Sequence, residues 1–353
     1  MNVRNRAVEF YRFLFSIVVC IFHFRTYTPS CRPFDSGYLA VEFFFILSGF
    51  FLAKSAERKR GSSVKENADQ SLSFLIKRYK RLYPHYLFTV LCIAIVRIFV
   101  VGNLTVKAWL RKGISEILML QSFGTGQVLS VVLWFSSAMV IASLIVYFVR
   151  LLNPALSTVS FPLISVAIYS YFLQTYKTIG ATFSYSHLFS DGVWRAVAGI
   201  MIGCVCYDIV QWLKKYDFSR HKLLFTFAEA LLVITIFTLL YRPAYREKNY
   251  ILILLYILFV IILFSQKSYI SGILDTRFSA FLGKISYAIY LNQIIVYMIF
   301  FNRFPADENT SMLKSTFLYL VIVIVLSVIT TCLIDTIENI LHRCACRGKS
   351  NTD

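Results

Sequence analysis

Charged side chains are scarce: Asp, Glu, Lys and Arg make up 15% of the 353 residues, where a soluble domain carries about a quarter. That shortage excludes an ordinary water-soluble globule of this length. Acids are scarcer than bases, 18 Asp and Glu against 36 Lys and Arg. Only 7 prolines and 14 glycines occur, and no linker, repeat or low-complexity tract is long enough to mark a second domain. The 8 cysteines show no disulfide framework. Cys204/Cys206 and Cys344/Cys346 are spaced too closely for the usual tetrahedral clip, and no metal-ligand set is expected. Cys20, Cys92, Cys204 and Cys332 fall inside apolar runs and read as small buried hydrophobes; Cys31 alone is placed clearly outside them. No small-residue cleavage site follows "FHFRTYTP", so the first apolar run reads as retained.

Hydrophobic residues are what the chain has, 58% of it. Runs near twenty residues recur from end to end, each long enough to cross about 30 Å of hydrocarbon. The short alternating segments of a β-barrel are missing. The expected fold is an all-α polytopic membrane protein of about ten spans, near 8–27, 38–54, 82–101, 128–150, 155–175, 190–212, 222–241, 249–266, 285–303 and 315–337. Asp191 and Arg195 interrupt the start of the sixth. Lys and Arg concentrate in alternate loops, most densely from Lys54 to Arg81, which places the N- and C-termini in the cytoplasm. One transmembrane domain is expected over 1–342, then a short polar cytoplasmic tail over 343–353. The stretch 103–117 is mixed apolar and basic and reads as a helix at the interface. Positive-inside loops account for most of the net charge of +18, so nucleic acid is set aside.

The polar residues inside the spans carry the functional signal, because an ionisable group in hydrocarbon is expensive. In "RFLFSIVVCIFHF", eleven steps of about 100° bring His23 to within roughly 20° of Arg12, about 16 Å further along the axis. Ser16 shares that face and Glu9 lies near it. His23 can pack against a neighbouring span, or accept a proton from a hydroxyl, or attack an acyl carbon itself. Arg12 can meet an anion from the cytoplasm or pair with Glu9 at i−3. Glu42, in "VEFFFILSGFF", sits in an aromatic wall level with His23; it can orient the imidazole or bond to another span. Gly49 shares the face of Glu42 and permits close helix approach.

Arg78 and Arg81 lie one turn apart on an amphipathic approach to the third span. Two guanidinium groups so placed can grip a pyrophosphate, or can merely mark the cytoplasmic side. Ser286, Tyr290, Gln293 and Tyr297 fall on one face of the ninth span, as a polar path or as glue between helices. Arg195 is a further charge near a span end. Trp134 reads as an interfacial anchor.

These motifs, taken together, resemble the membrane acyltransferase-3 family of bacterial O-acyltransferases. The resemblance rests on Arg12 and His23 at their spacing, on "FFILSG" from Phe44 to Gly49, on "RYKR" followed by "LYP", and on "SYAIYLNQ" from Ser286 to Gln293. It covers essentially the whole chain. Gln293 stands where many members have histidine, and Glu42 where many have aspartate. The esterase-like domain fused to some members is not expected.

The resemblance implies an O-acyltransferase, most often an O-acetyltransferase, in a bacterial inner membrane. Its donor is a cytoplasmic acyl-CoA, most often acetyl-CoA. Its acceptor is a hydroxyl of a surface or secreted carbohydrate or its lipid-linked precursor. Membrane lipids and polysaccharide-assembly proteins are the remaining partners, and no permanently bound cofactor is implied. His23 is the base or transient acyl carrier, with Glu42 orienting it. Arg78 and Arg81, with Arg12, hold the donor, and Ser16, Ser48, Arg195, Ser286, Tyr290 and Gln293 line the substrate path. Two rivals stand beside this reading. One is a transporter or flippase for a lipid-linked glycan, which inverted repeats would favour and the sequence does not display. The other is a non-catalytic partner that keeps the fold.

Overall fold

Hydrocarbon offers the backbone no hydrogen bonds, so each apolar run must satisfy its own N–H and C=O groups by coiling. In the computed structural model, which describes residues 5–27, 32–123, 129–180, 189–217, 219–243, 246–265, 268–306 and 311–350, they do so without a strand among the described residues. The helices are α1 (Arg6–Phe24), α2 (Val41–Glu57), α3 (Val64–Phe99), α4 (Val106–Lys112), α5 (Ile114–Ile117), α6 (Trp134–Leu152), α7 (Pro154–Tyr176), α8 (Asp191–Leu213), α9 (Lys222–Tyr241), α10 (Arg246–Ser265), α11 (Tyr269–Ile273), α12 (Arg277–Arg303) and α13 (Met312–Ser350). Ten of them are long and apolar enough to cross a membrane, and they coincide with the ten runs read from the sequence.

Local chemistry sets the helix starts. Asn5, Ser63, Thr105, Asn153 and Thr276 each accept a hydrogen bond from a backbone N–H of the first turn, which satisfies donors the helix cannot. Glu66 completes a box at α3 by accepting from the Ser62 N–H at 2.7 Å. At 36 residues, α3 is about 54 Å long and outruns a 30 Å core; its first turns carry the basic approach segment. α13 runs on through the expected tail to Ser350. One expectation needs correction. The stretch 103–117 forms two short helices, α4 and α5, not one. Cys31 lies outside the described residues, as do the side chains of Cys344 and Cys346.

Two close helix pairs build the centre. A Cβ on Gly49 of α2 would stand 1.9 Å from the Ile200 carbonyl oxygen of α8, and one on Gly203 would stand 2.0 Å from the Ile46 oxygen. Backbone cannot yield as a side chain can, so glycine is required at both. Gly199 and Gly203 form the small-xxx-small face that lets α8 lie against α2. The second pair is α1 with α12. Ser16 donates to the Ser286 carbonyl at 3.0 Å, and a Cβ on Gly283 would strike Glu9. Successive spans alternate in direction. The loop after α1 brings Gly37 against Phe22 and Val18, and Ser36 N–H bonds the Leu240 carbonyl at the end of α9. One end of the bundle therefore gathers His23, the start of α2, the start of α8 and the end of α9.

Candidate active site

His23 occupies the last turn of α1, half-buried, with its ring edge against Phe22. Its Nδ1 lies 3.2 Å from Gln293 Oε1 of α12. Gln293 is fully buried, and its amide nitrogen donates to the Tyr290 carbonyl at 2.8 Å. That second bond turns the amide so that its oxygen faces the ring. An amide oxygen only accepts, so Nδ1 carries a proton, and in the neutral ring Nε2 carries the lone pair. The Val19 carbonyl of the preceding turn is a second acceptor near the ring, and the side-chain hydrogen bond seen is the one at Nδ1. The site thus presents an imidazole oriented through Nδ1 by an uncharged side chain.

Glu42 lies elsewhere in this arrangement. Its Oε1 accepts from Arg195 Nε at 2.5 Å, and its Oε2 accepts from the Tyr169 hydroxyl at 2.6 Å. Glu42 is fully buried and Arg195 is 2% exposed. Arg195 also donates to the Tyr38 carbonyl at 3.0 Å, and its guanidinium stands over the Trp134 ring. Both carboxylate oxygens are taken, and the group that touches His23 is Gln293. This buried pair ties the start of α2 to α8 and α7. It also explains how the sixth span tolerates its charges, because Asp191 is held by the Tyr176 hydroxyl at 2.6 Å. Trp134 is 7% exposed and packed on Phe45. It is an interior residue that covers the Arg195 cation and not an interfacial anchor.

The remaining path residues divide. Ser16 bonds the carbonyls of Arg12 and Ser286, and the Ser286 hydroxyl bonds the Gly283 carbonyl at 2.8 Å. Both serines are buried at the α1–α12 contact. Tyr290 reaches the Val132 carbonyl at 3.1 Å, and Tyr297 meets Thr26 at 3.0 Å. The polar face of α12 therefore zips α1 to the bundle, with the His23–Gln293 bond as one tooth. Arg12 pairs with Glu9 at 2.6 Å.

Arg78 differs from four other arginines of the bundle. Arg12, Arg25, Arg150 and Arg195 each face a carboxylate; Arg78 has none among the described residues. Its Nη2 donates to Ser48 of α2 at 2.6 Å, and its Nε is buried without a partner. Ser48 lies six residues after Glu42, about 9 Å along α2 toward the end where α1 begins. Arg81, one turn on, is exposed. An unneutralised guanidinium inside a membrane bundle is costly unless an anion joins it.

Two residues near Arg78 escaped the sequence reading. Tyr287 of α12 lies within electrostatic reach of Arg78 and hydrogen-bonds Ser136 at 2.9 Å. His85 of α3 faces the Tyr287 ring at 6.1 Å between centroids. His85 was findable: seven residues after Arg78, it returns to within roughly 20° of the same face. Tyr287 gave no such signal, since the stripe containing Ser286 and Tyr290 turns it to a different side.

The fold and these polar centres define a multi-pass membrane protein with an oriented imidazole and, among the described residues, a cation that no carboxylate pairs. A family model described as an acyltransferase domain, that of the acyltransferase-3 family, matches residues 5–336. The chain belongs to that family, and it is a membrane acyltransferase. Among curated proteins and solved structures no match was found.

Proposed function

We propose that the protein moves an acyl group, most simply acetyl, from a cytoplasmic acyl-CoA to a hydroxyl of a surface or secreted carbohydrate or its lipid-linked precursor. The placement that goes with this is a bacterial inner membrane with both termini in the cytoplasm, in keeping with the Lys/Arg-rich loops between α2 and α3 and between α8 and α9. The observation that carries the reading is the His23 ring, whose Nδ1 is held by Gln293 and whose Nε2, in the neutral ring, is the base.

In direct transfer, Nε2 takes the proton of the acceptor hydroxyl as its oxygen attacks the thioester carbonyl. The C–S bond breaks, and the departing thiolate recovers the proton from Nε2. In the two-step form Nε2 itself attacks the carbonyl and the C–S bond breaks to release the thiolate; the acceptor hydroxyl then attacks the acyl-imidazole, the N–C bond breaks to free Nε2, and the hydroxyl proton passes to the thiolate. Gln293 supports either route by fixing the tautomer. Arg78, which no carboxylate among the described residues neutralises, offers the donor's phosphates a counter-charge, and Arg81 adds a second, exposed one. Arg12, paired with Glu9, is the third cation of the donor side.

Mass spectrometry of surface glycans from cells with and without the gene tests the reading. The expected result is an acyl ester, 42 Da for acetyl by the chemistry of esterification (about one C2H2O unit), present only with the gene. Identical glycan profiles would overturn it.

A further inference from the structure

We infer that His85 and Tyr287 belong to the donor-binding site, and that His85 Nε2 donates to the phosphate that carries the pantetheine arm of the acyl-CoA. This rests on the reading above and extends it to residues outside the family motifs or not given a role within them.

The argument starts from unpaired nitrogens. Arg78 Nε and His85 Nε2 are both buried without a hydrogen-bond partner; the charges that act on His85 are Asp335 of α13 and Lys284 of α12, and the charge that acts on Arg78 is Arg81. Buried polar atoms in native proteins are almost always paired, so an orphaned donor points to a group that joins it. Here two such nitrogens lie on one face of α3, about 10 Å apart along its axis; Arg78 Nε is always a donor, and His85 Nε2 is one in the tautomer that places the hydrogen there. Side chains of a helix lean toward its N-terminus, so His85 leans toward Arg78. Between them, across the helix contact, stands Tyr287, against the His85 ring and in the field of Arg78. Its hydroxyl is fixed by Ser136.

The ligand this arrangement suits is an anion with several acceptor oxygens spread over more than one centre. Arg78 brings a fixed charge, His85 a donor and Tyr287 a hydroxyl; the carboxylate within electrostatic reach of His85, Asp335, is paired with Lys284. A diphosphate meets that description, and a bare carboxylate or halide is too small to reach both donors. Its orientation follows from the bundle. His85 is further along α3 than Arg78, toward the end that holds His23, so the phosphate at His85 is the one whose substituent must run on to the imidazole. In acyl-CoA that substituent is the pantetheine arm.

The test is ligand binding to the full chain in lipid nanodiscs, using CoA, 4′-phosphopantetheine and pantetheine. Variants are His85→Phe, which keeps a ring and loses the donor, and His85→Gln, which keeps a donor. Thermal melting checks that each remains folded. The expected result is a ten- to hundredfold weaker affinity of His85→Phe for CoA and for 4′-phosphopantetheine, about the loss of one hydrogen bond to a charged group. Pantetheine, lacking phosphate, binds both proteins alike, and His85→Gln recovers part of the loss. If wild-type protein binds CoA and His85→Phe binds it equally well, this inference fails while the acyltransferase reading stands. If wild-type protein binds no CoA, the donor assignment and this inference fall together. A cryo-EM map of the unaltered protein with CoA decides the matter without substitution. A phosphate bonded to His85 Nε2 and Arg78 supports the inference, and a diphosphate placed away from them overturns it.

Discussion

His23 is held by an uncharged partner: Gln293 Oε1 sits 3.2 Å from Nδ1, while the carboxylate of Glu42 is bound to Arg195 and Tyr169. A carboxylate in that position would favour an imidazolium. An amide fixes the tautomer and adds no charge. Gln293→Leu therefore lowers turnover about 10- to 100-fold, the worth of one buried hydrogen bond and its alignment, with the donor KM unchanged. Gln293→Glu places a carboxylate against Nδ1, favours the imidazolium and raises the pH at which activity sets in. Steady-state kinetics across pH, with each variant in nanodiscs, check both.

Glu42 and Arg195 form the most deeply buried ion pair among the described residues, and removing one partner strands the other. Glu42→Gln or Arg195→Met costs about 3–5 kcal/mol of stability, read as a large drop in melting temperature in detergent. Replacing both by apolar residues of similar volume costs less than either single change. A double variant that melts lower than both singles would show that the pair does more than hold α2 to α8.

Arg78 and Arg81 differ in how salt acts on them. Arg81 is exposed, so its contribution to donor binding is screened within a Debye length of about 3 Å at 1 M salt. Arg78 is enclosed between α2, α3 and α12, where screening is weak. Arg81→Met weakens acyl-CoA binding at low salt and little at high salt. Arg78→Met weakens it about tenfold or more in both. Isothermal titration at two ionic strengths separates them, and unchanged affinity in both variants returns the pair to the role of a topology signal.

Gly49→Ala inserts a carbon 1.9 Å from the Ile200 carbonyl oxygen. Neither backbone can give way without parting α2 from α8, so the variant melts well below the wild type and is poorly recovered from membranes. Gly102→Ala, where nothing stands within 4 Å of the new carbon but φ is +72°, costs only the local backbone strain, on the order of 1 kcal/mol.

The spans were legible because length and hydropathy alone decide them. All ten apolar runs became helices, and the tight α2 crossing was announced by Gly49. The site was less legible, for reasons of distance. Glu42 meets Arg195 across 153 positions, and no local pattern reports which of two intramembrane charges a carboxylate will choose. Helical spacing put Ser16 and Ser286 on polar stripes but could not say that their hydroxyls would close onto backbone carbonyls. Arg12 took its neighbour Glu9, the local option that i, i+3 spacing had offered. Trp134 misled because an indole near a span end has the same sequence signature whether it anchors at the interface or covers a buried cation. His85 was readable in principle from its spacing to Arg78. Its importance depends on Tyr287, which only the packing of α12 on α3 brings near.

The account stands or falls on the imidazole of α1. The measurement is acyl transfer by purified His23→Ala protein in proteoliposomes supplied with isotopically labelled acetyl-CoA and the carbohydrate acceptor, with CoA affinity measured on the same sample. The predicted result is a fall in transfer of about 10²- to 10⁴-fold, the usual range for a lost general base, with CoA affinity within twofold of wild type. Transfer at the wild-type rate from folded His23→Ala protein would contradict it.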